Sequence, residues 1–329
     1  MIDLPEKFIK LNDSIEEHMM LILNTKTIPL YDMMSYHMNF QHNQPREYGL
    51  LCLITHLALG GKYENALNFA SSIEFVNNFI AIHDDVQSGQ PQKNNRDTLW
   101  WKWGPAQAIN AGDGMHAIAR LSLLNTDNNN LIDQTKIFEA LKLLDDSTIK
   151  ICEGRYTELE FQERIDVSYE EYIKNASNKR GALIECAVSL GAILSDDLNE
   201  LENTIRKFAA KITLSIQMKK DIAQIWPDSS SENQNNALNK TKLLPVIIGL
   251  EKATISHKRK IGEIYFKRVL QQEDLNNLRK ILDELMVRED CVRILNKSTK
   301  DSLKEIEKNS IMQSEEKKLL LDFVTWMVN

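Results

Sequence analysis

The chain has 329 residues, enough for one large helical domain or two ordinary ones with a sizeable core. Its formal net charge of -7, with basic residues scattered and no basic patch interleaved with aromatics, argues against a nucleic-acid-binding protein. Twelve glycines and seven prolines leave few breaks between long amphipathic stretches, which predicts a nearly all-α fold.

The cysteines and the N-terminus indicate a cytoplasmic, soluble protein. Cys52, Cys152, Cys186 and Cys291 stand far apart without a CxxC motif, so we predict buried reduced thiols and neither a zinc site nor disulfides. The N-terminus begins with acids and breaks at Pro5, which does not resemble a targeting segment. No run reaches the ~18 apolar residues of a membrane-spanning helix, so we predict no transmembrane segment.

The first helix is predicted over residues 5–25, from apolar residues at helical spacing: Phe8, Leu11, Ile15, Met19 and Leu23. The polar stretch from Asn39 to Glu47 predicts a loop before the apolar run Leu50 to Leu59. Gly60 and Gly61 close that run. Residues 1–45 are interpreted as a variable N-terminal region.

The next helix is predicted to begin near Tyr63 and to carry Asp84 and Asp85 in its last turns, because residues from Ala66 to Ile82 are apolar at intervals of three and four. Adjacent carboxylates repel, and burying one without a partner is costly, so a hard cation is a natural partner. Oxygen ligands favour magnesium. Taken alone, such a pair is more often a solvated helix end than a metal site.

The rest of the chain is predicted to be helical, with two long loops. The first loop spans Gln87 to Gly104, and Pro227 to Asn236 is predicted to be disorder-prone. The predicted helices are Pro105 to Leu124, Asn130 to Glu163, Tyr169 to Leu194 with Ser168 as N-cap, Leu198 to Trp226, and shorter pieces from Lys242 with turns near Gln272, Asp290 and Asn309. No repeat or composition shift marks a boundary, so residues 1–329 are predicted to form one domain.

A second acidic position lies in Ser215 to Trp226. Gln217, Asp221 and Gln224 are spaced so that they share one helix face, and Lys220 neighbours Asp221. Without further context this is an ordinary polar face.

Several stretches together resemble the trans-isoprenyl diphosphate synthase family, the all-α prenyltransferases that are also related to class I terpene synthases. They are IHDDVQSGQPQ, RDTLWWKWGPAQAINAGDGM, YIKNASNKRGALIECAVSLGAIL, IQMKKDIAQIW and TKLLPVIIGLE. The resemblance runs from about Met34 to the C-terminus. It implies a single helical bundle of the isoprenoid synthase type around a central cavity, a prenyl diphosphate substrate and a homodimer, to which the small residues Ala108 to Gly114 also point.

In that family two aspartate-rich motifs bind three magnesium ions that clamp an allylic diphosphate. Asp84 and Asp85 match the first two acids of the first motif, and Ser88 stands where its last acid belongs. In the second motif Lys220 replaces the first acid and Asp221 matches the second, while Gln224 takes the last position. The resemblance therefore implies Mg²⁺ bound by Asp84, Asp85 and Asp221, in a site thinner than the family pattern.

Other donor-side residues carry over as well. Lys93 matches a basic residue for the allylic diphosphate, Lys179 the lysine of a Lys-Thr pair, and Gln217 the glutamine before the second motif. The residue Lys220 is a further candidate for binding diphosphate. One turn before Asp84, Phe79 and Ile80 are predicted to line the pocket for the prenyl chain; Met115 and Ile184 are further candidates, for which core packing is the alternative.

The acceptor side departs from the family, which binds isopentenyl diphosphate through a GGKxxRP motif, a histidine and a second arginine. Here Pro45 and Tyr48 take the lysine and arginine positions, Asn77 the histidine position, and Asn94 that of the second arginine. Each charge-assisted contact is worth about 1.5–3 kcal/mol, so these changes together predict weak binding of a second diphosphate.

This asymmetry favours a terpene-synthase-like enzyme, a lyase that ionises a prenyl diphosphate and ends the reaction by cyclisation, elimination or water quench. A prenyltransferase, acting on isopentenyl diphosphate or on an acceptor without diphosphate, is the alternative. A non-catalytic regulatory subunit of a prenyl diphosphate synthase is another, which Ser88 and Lys220 favour. Arg155 and Glu158 are interpreted as a local helix pair, and Asp145 with Asp146 as solvated.

Overall fold

The computed structural model describes residues 4–40, 45–93, 96–125, 132–164, 166–195, 198–227, 235–312 and 314–328. In these ranges the chain forms sixteen α-helices and one two-stranded hairpin, which confirms the all-α prediction. The helices are α1 (Glu6–Leu23), α2 (Pro29–Phe40), α3 (Glu47–Ala58), α4 (Tyr63–Ser88), α5 (Leu99–Trp103), α6 (Pro105–Leu124), α7 (Gln134–Glu163), α8 (Tyr169–Ala176), α9 (Ala182–Ile193), α10 (Leu198–Ile225), α11 (Asn235–Leu238), α12 (Leu244–Lys252), α13 (Ile255–Tyr265), α14 (Gln272–Glu284), α15 (Val287–Glu307) and α16 (Ser314–Val328).

Contacts divide the chain into two compact units. Unit 1 comprises Met1–Thr148, Leu183–Ile205 and Asn309–Phe323, and unit 2 comprises Ile149–Ala182, Arg206–Lys308 and Val324–Asn329. That residues 1–329 form one domain around a central cavity stays a prediction.

Helix α4 organises unit 1, packing mainly against α6 and α3. It begins at Tyr63 and keeps its apolar residues buried, as its spacing predicts, so Asp84 and Asp85 do lie in its last turns. Gly89 ends the helix with a φ of 64°, a left-handed conformation that glycine adopts without steric cost.

The small residues of α6 serve packing inside unit 1. A Cβ added at Gly112 would lie 2.4 Å from the His83 ring, and Ala108 and Ala111 are fully buried. The close approach predicted for this face is therefore made by α4 of the same chain, and these residues give no support to a homodimer.

The first predicted loop is more ordered than its composition indicates. Helix α4 continues to Ser88, β1 (Gln92–Lys93) pairs antiparallel with β2 (Arg96–Asp97), and α5 follows. The side chains of Thr98 and Trp100 donate hydrogen bonds to the carbonyl of Gln90, at 2.9 and 2.7 Å, and hold the turn closed. This stretch is held by hydrogen bonds across the loop and has no regular spacing of apolar residues. The hydrophobic periodicity of the sequence therefore does not reveal its structure.

Unit 2 has its own core, built mainly from α8, α10 and α12 to α15. Helix α8 starts with a capping box, in which the side chains of Ser168 and Glu171 accept hydrogen bonds from each other's backbone N–H groups. This confirms the prediction that Ser168 is the N-cap of the helix. A π-helical turn, Ser177–Gly181, then links α8 to α9 without a break. The sequence predicts one regular helix there.

Two boundary predictions are wrong, and one helix lies where none is predicted. Residues 235 and 236, placed in the disorder-prone loop, begin α11, while residues 228–234 of that loop lie outside the described residues. The turn expected near Asp290 falls at Met286, whose φ is 57°, because Asp290 lies inside α15. Helix α2 occupies a stretch for which no helix is predicted; Pro29 suits its first turn.

All four cysteines are free thiols, and the prediction that they are buried is wrong for Cys152. Cys52, Cys186 and Cys291 are buried, but Cys152 is exposed because it lies on the outward face of α7. Among the described residues, none of the helices combines the length and apolar character needed to cross a bilayer.

Candidate active site

The candidate donor residues of unit 1 gather at the C-terminal end of α4. Asp85 is 4% exposed, and its Oδ1 accepts a hydrogen bond of 3.3 Å from Lys93 Nζ on β1. Burial raises the pKa of Asp85, and the Lys93 ammonium opposes this. A helix C-terminus disfavours anions, so the cation at Lys93 stabilises a carboxylate that its position alone would destabilise.

Asp84 differs from its neighbour in being half-buried and so accessible from solvent. Successive residues on a helix point about 100° apart, so Asp84 and Asp85 face different directions. Ser88, where a third acid is expected, is exposed, and its Oγ lies 3.5 Å from the Asp85 carbonyl. This end of α4 therefore places the half-buried Asp84 next to the buried Asp85, which pairs with Lys93.

The residues predicted to line a prenyl pocket take part in packing. The ring of Phe79 lies edge-on to His83, with centroids 4.7 Å apart, and 5.3 Å from His116. Ile80 is 8% exposed. For both, the pocket role stays a prediction. Met115 and Ile184 are fully buried, in line with the core-packing alternative.

The acceptor-side positions of unit 1 converge on a buried carboxylate. Both Tyr48 N–H and Gly49 N–H donate to Glu74 Oε1, at 2.9 and 2.8 Å, and Asn77 Nδ2 lies 3.4 Å from Glu74 Oε2. Glu74 is 1% exposed, and burial raises its pKa. Pro45 is half-buried at the start of the segment, and Asn94 lies outside the described residues.

The one basic side chain in this segment, Arg46, turns into the protein. It is 2% exposed, forms an ion pair of 3.1 Å with Glu16 and donates to the Met38 carbonyl at 3.3 Å. Its guanidinium thus stabilises the packing of α1 and α2 on α3. Sequence reasoning assigns Arg46 no role, because its partner Glu16 is thirty positions away and nothing local signals the contact.

In unit 2, Asp221 is a fully hydrogen-bonded buried carboxylate. It is 2% exposed; Oδ2 accepts from Tyr172 Oη at 2.5 Å and from Leu244 N at 2.7 Å, while Oδ1 accepts from Gln217 Nε2 at 2.8 Å. Burial raises the pKa of Asp221 to about 6, against the effect of these donors. The contact between Gln217 and Asp221 agrees with the shared helix face that their spacing predicts.

The remaining positions of the second motif lie nearer the surface. Lys220 is exposed, and Gln224 Oε1 accepts a hydrogen bond of 3.4 Å from Ala237 N. Only the position of Asp221 carries an acid, and both of its oxygens already have partners. The described part of this motif therefore connects α10 to α8, α11 and α12.

A group of charged side chains surrounds the π-helical turn of unit 2. Lys179 Nζ forms an ion pair with Glu158 of α7, a contact that the sequence does not predict. Glu158 also acts on Arg155, where it opposes the lowering of the pKa, in line with the local helix pair predicted for these two residues. A Cβ at Gly154 would lie 2.7 Å from Lys179 Cγ, so this glycine permits the contact. Burial lowers the pKa of Arg155 to about 10. Burial also lowers the pKa of Lys179, with a smaller contribution from the nearby Arg155 and Arg180, while Glu158 opposes the shift.

The magnesium prediction can be compared with these donors. In the described ranges there is no group of three or more His, Cys, Asp or Glu side chains that could hold a metal ion. Asp84 remains accessible beside Asp85, and magnesium is commonly held by one or two carboxylates together with substrate phosphates. The side chains fit one ion shared with a diphosphate, whereas Asp221 as it stands does not offer a free ligand oxygen.

Comparison with known proteins identifies the family. The polyprenyl synthetase family model matches residues 29–282, so the chain belongs to the polyprenyl synthetase family. It is 26% identical over 235 residues to the short chain isoprenyl diphosphate synthase of Methanocaldococcus jannaschii, with 70% of each chain covered. It is 28% identical over 227 residues to the geranylgeranyl diphosphate synthase of Saccharolobus solfataricus, with 68% of each covered.

Solved structures share the fold. The polyprenyl synthetase from Streptomyces coelicolor A3(2) has a TM-score of 0.86 at 22% identity, covering 98% of both chains. The geranylgeranyl pyrophosphate synthetase from Geoglobus acetivorans has a TM-score of 0.84 at 23% identity, covering 98% of this chain and 99% of that one. The family prediction is confirmed, and these relatives favour the prenyltransferase alternative over the terpene-synthase-like reading.

Proposed function

We propose that the protein is a trans-type prenyltransferase that takes an allylic prenyl diphosphate as its donor. The observation that carries the proposal is the end of α4, where accessible Asp84 stands beside the Asp85–Lys93 pair in a member of the polyprenyl synthetase family. The names of its relatives, short chain isoprenyl and geranylgeranyl diphosphate synthases, support a prenyl diphosphate substrate.

In this reaction the allylic carbon–oxygen bond of the donor breaks, and the enzyme must stabilise the negative charge that develops on the diphosphate. A magnesium ion, when bound, would supply Lewis-acid stabilisation of the leaving diphosphate. Asp84 would hold that ion, and Lys93 would keep Asp85 ionised next to it. For Lys179, in unit 2, the role in diphosphate binding that the family resemblance implies stays a prediction.

The acceptor is the less defined half of the reaction. Tyr48 and Asn77 meet Glu74, so this part of unit 1 presents a buried carboxylate where a second diphosphate would need cations. An acceptor without diphosphate fits this arrangement better than isopentenyl diphosphate does. The same observation favours a second candidate function, ionisation of the donor followed by cyclisation, elimination or water quench within the substrate.

One experiment separates these functions. Purified protein with magnesium is incubated with geranyl, farnesyl or geranylgeranyl diphosphate, with and without isopentenyl diphosphate, and products are analysed by mass spectrometry. A longer prenyl diphosphate indicates elongation, and a hydrocarbon or alcohol formed without acceptor indicates the second candidate. If the donor is not consumed under any condition, including with added aromatic acceptors, the enzyme proposal is wrong and the regulatory-subunit reading stands.

Two further parts of the proposal concern assembly and location. The family resemblance implies a homodimer, and the cysteines and the N-terminal sequence predict a cytoplasmic location. Sedimentation velocity of the purified chain tests the first, because a monomer at micromolar concentration would contradict it.

A further inference from the structure

The segment from Ile255 to Val269 carries the three most exposed large hydrophobic side chains in the described part of the chain. Ile255 is 89% exposed, Phe266 81% and Val269 71%. Each is an apolar group in contact with water, and single exposed apolar residues are common in proteins. Three such extremes lie within fifteen residues of the chain, and this concentration needs a physical explanation.

The geometry of α13 places two of them on one face. Ile255 is the first residue of the helix and Phe266 caps its end, eleven residues or about three turns later. The face between them carries Lys258 and Arg259, both exposed, and Gly262, where an added Cβ would meet nothing within 4 Å. The opposite face of α13, with Ile261 and Ile264, is buried in the core of unit 2.

The same segment is basic in an acidic protein. Between Lys252 and Val269 there are six Lys and Arg residues, and one acid, Glu263, whereas the whole chain carries a net charge of -7. Neighbouring helices supply Asp290 and Asp274, which pair with Lys252 and Lys267. Glu263 pairs with Arg259, with both side chains more than half exposed. The exposed basic residues Lys258, Lys260 and Arg268 add to the positive surface of the segment.

We propose that this surface, named here the α13 face (Ile255, Lys258, Arg259, Lys260, Gly262, Phe266, Arg268 and Val269), docks onto an anionic membrane surface. Exposed apolar side chains flanked by Lys and Arg match the two layers of a bilayer interface, since the apolar groups enter the acyl boundary while the cations meet the headgroups. Gly262 carries no side chain, and an added Cβ there would meet nothing within 4 Å, so the centre of this face leaves room for the helix to lie parallel to that surface. A nucleic acid would be contacted by the cations, but it would leave Ile255 and Val269 exposed to water.

The proposal does not depend on the reaction that the enzyme catalyses, although a membrane would suit an enzyme with apolar prenyl substrates or products. It concerns a peripheral contact by side chains at the two ends of one helix. No part of the chain needs to cross the bilayer.

The test is vesicle co-sedimentation of the full-length protein. Vesicles of phosphatidylcholine alone are compared with vesicles of phosphatidylcholine and phosphatidylglycerol, at low and high salt. The expected result is binding to the anionic vesicles that weakens with salt, and a loss of roughly tenfold or more in partitioning for the double variant Ile255→Ser and Phe266→Ser. The matched control is Leu21→Ser, which removes a 70% exposed apolar side chain from α1 and should leave binding unchanged.

A charge variant separates the two parts of the mechanism. Lys258→Glu with Lys260→Glu should abolish the preference for anionic vesicles while leaving the helix content measured by circular dichroism intact. The proposal is overturned if the unaltered protein binds neither kind of vesicle, or if the Ile255/Phe266 variant binds anionic vesicles as well as the Leu21→Ser control does. A shift of the Ile255/Phe266 variant from dimer to monomer in sedimentation velocity, without vesicle binding by the parent, would instead make the α13 face an interface between copies of this chain.

Discussion

Tyr172 Oη donates a 2.5 Å hydrogen bond to Asp221 Oδ2, and the same carboxylate oxygen also accepts from Leu244 N. The acid that the family resemblance assigns to magnesium is therefore occupied in holding α8, α10 and α12 together. From these contacts, and because Lys220 replaces the neighbouring acid, we expect the second aspartate-rich motif of this chain to stabilise the packing of unit 2.

Replacing Asp221 should consequently affect stability. In Asp221→Ala the Tyr172 hydroxyl and Leu244 N–H lose their acceptor inside the protein, and each unsatisfied buried group costs about 1–3 kcal/mol. We expect a loss of roughly 2–5 kcal/mol in the free energy of unfolding, measured by urea denaturation. Asp221→Asn, which keeps one acceptor oxygen, should lose much less. Asp146→Ala, at an exposed position, is the control; equal stability of all three variants would contradict the structural role.

A matched pair of glycine substitutions tests the contact between α7 and the π-helical turn. In Gly154→Ala the new Cβ would lie 2.7 Å from Lys179 Cγ, so Lys179 must move away from Glu158. We expect a destabilisation of about 1–3 kcal/mol and a weaker affinity for pyrophosphate. Gly262→Ala, whose Cβ meets nothing within 4 Å, should instead stabilise by about 0.5–1 kcal/mol, as in an open helix position. Thermal unfolding of the two variants side by side measures the change in stability of each. The prediction requires Gly154→Ala to lower the stability and Gly262→Ala to raise it.

The Asp85–Lys93 pair should show measurable coupling. Lys93→Met leaves a 4% exposed carboxylate without its ion-pair partner, whereas Lys93→Met with Asp85→Asn removes the charge as well. Since Lys93 is 36% exposed, solvent screens the pair and a coupling energy of only about 1 kcal/mol is expected from a double-mutant cycle. A coupling energy of zero from this double-mutant cycle would show that Lys93 does not stabilise Asp85.

His37 should make stability depend on pH. Burial, with Lys93 and Arg46 nearby, lowers the pKa of His37 from 6.5 to about 3. As pH falls below 6.5, the unfolded chain takes up a proton that the folded chain refuses, so the contribution of His37 is fully present above pH 6.5 and is lost toward pH 3. Compared with His37→Gln, the parent should lose up to about 1.4 kcal/mol for each pH unit between 6 and 4 in urea unfolding. Parallel pH curves for the two proteins would contradict this.

The sequence predicts what depends on local patterns. The 3.6-residue spacing before Asp84 places both acids at the end of α4, and Ser168 with Glu171 marks the start of α8. What it misses depends on distant partners: Tyr172 lies 49 positions from Asp221, and Arg46 lies thirty from Glu16. The family resemblance therefore implies a metal role for Asp221, and only the fold shows that its oxygens have partners.

The acceptor side shows the same limit. The replacement of cations by Tyr48 and Asn77 is evident in the sequence, but their convergence on Glu74 requires α3 and α4 to be packed together. Likewise, the π-helical turn gives no periodic signal, because its composition still reads as regular helix.

The central claim is that ionisation of a prenyl diphosphate depends on the carboxylate at the end of α4. The most direct measurement is release of pyrophosphate from geranyl, farnesyl or geranylgeranyl diphosphate by the parent protein, by Asp84→Asn and by the matched surface control Asp146→Asn. We expect release by the parent and the control, and a loss of at least roughly a hundredfold for Asp84→Asn, since stabilising charge in the transition state is typically worth this much. Equal rates for Asp84→Asn and Asp146→Asn would contradict the account.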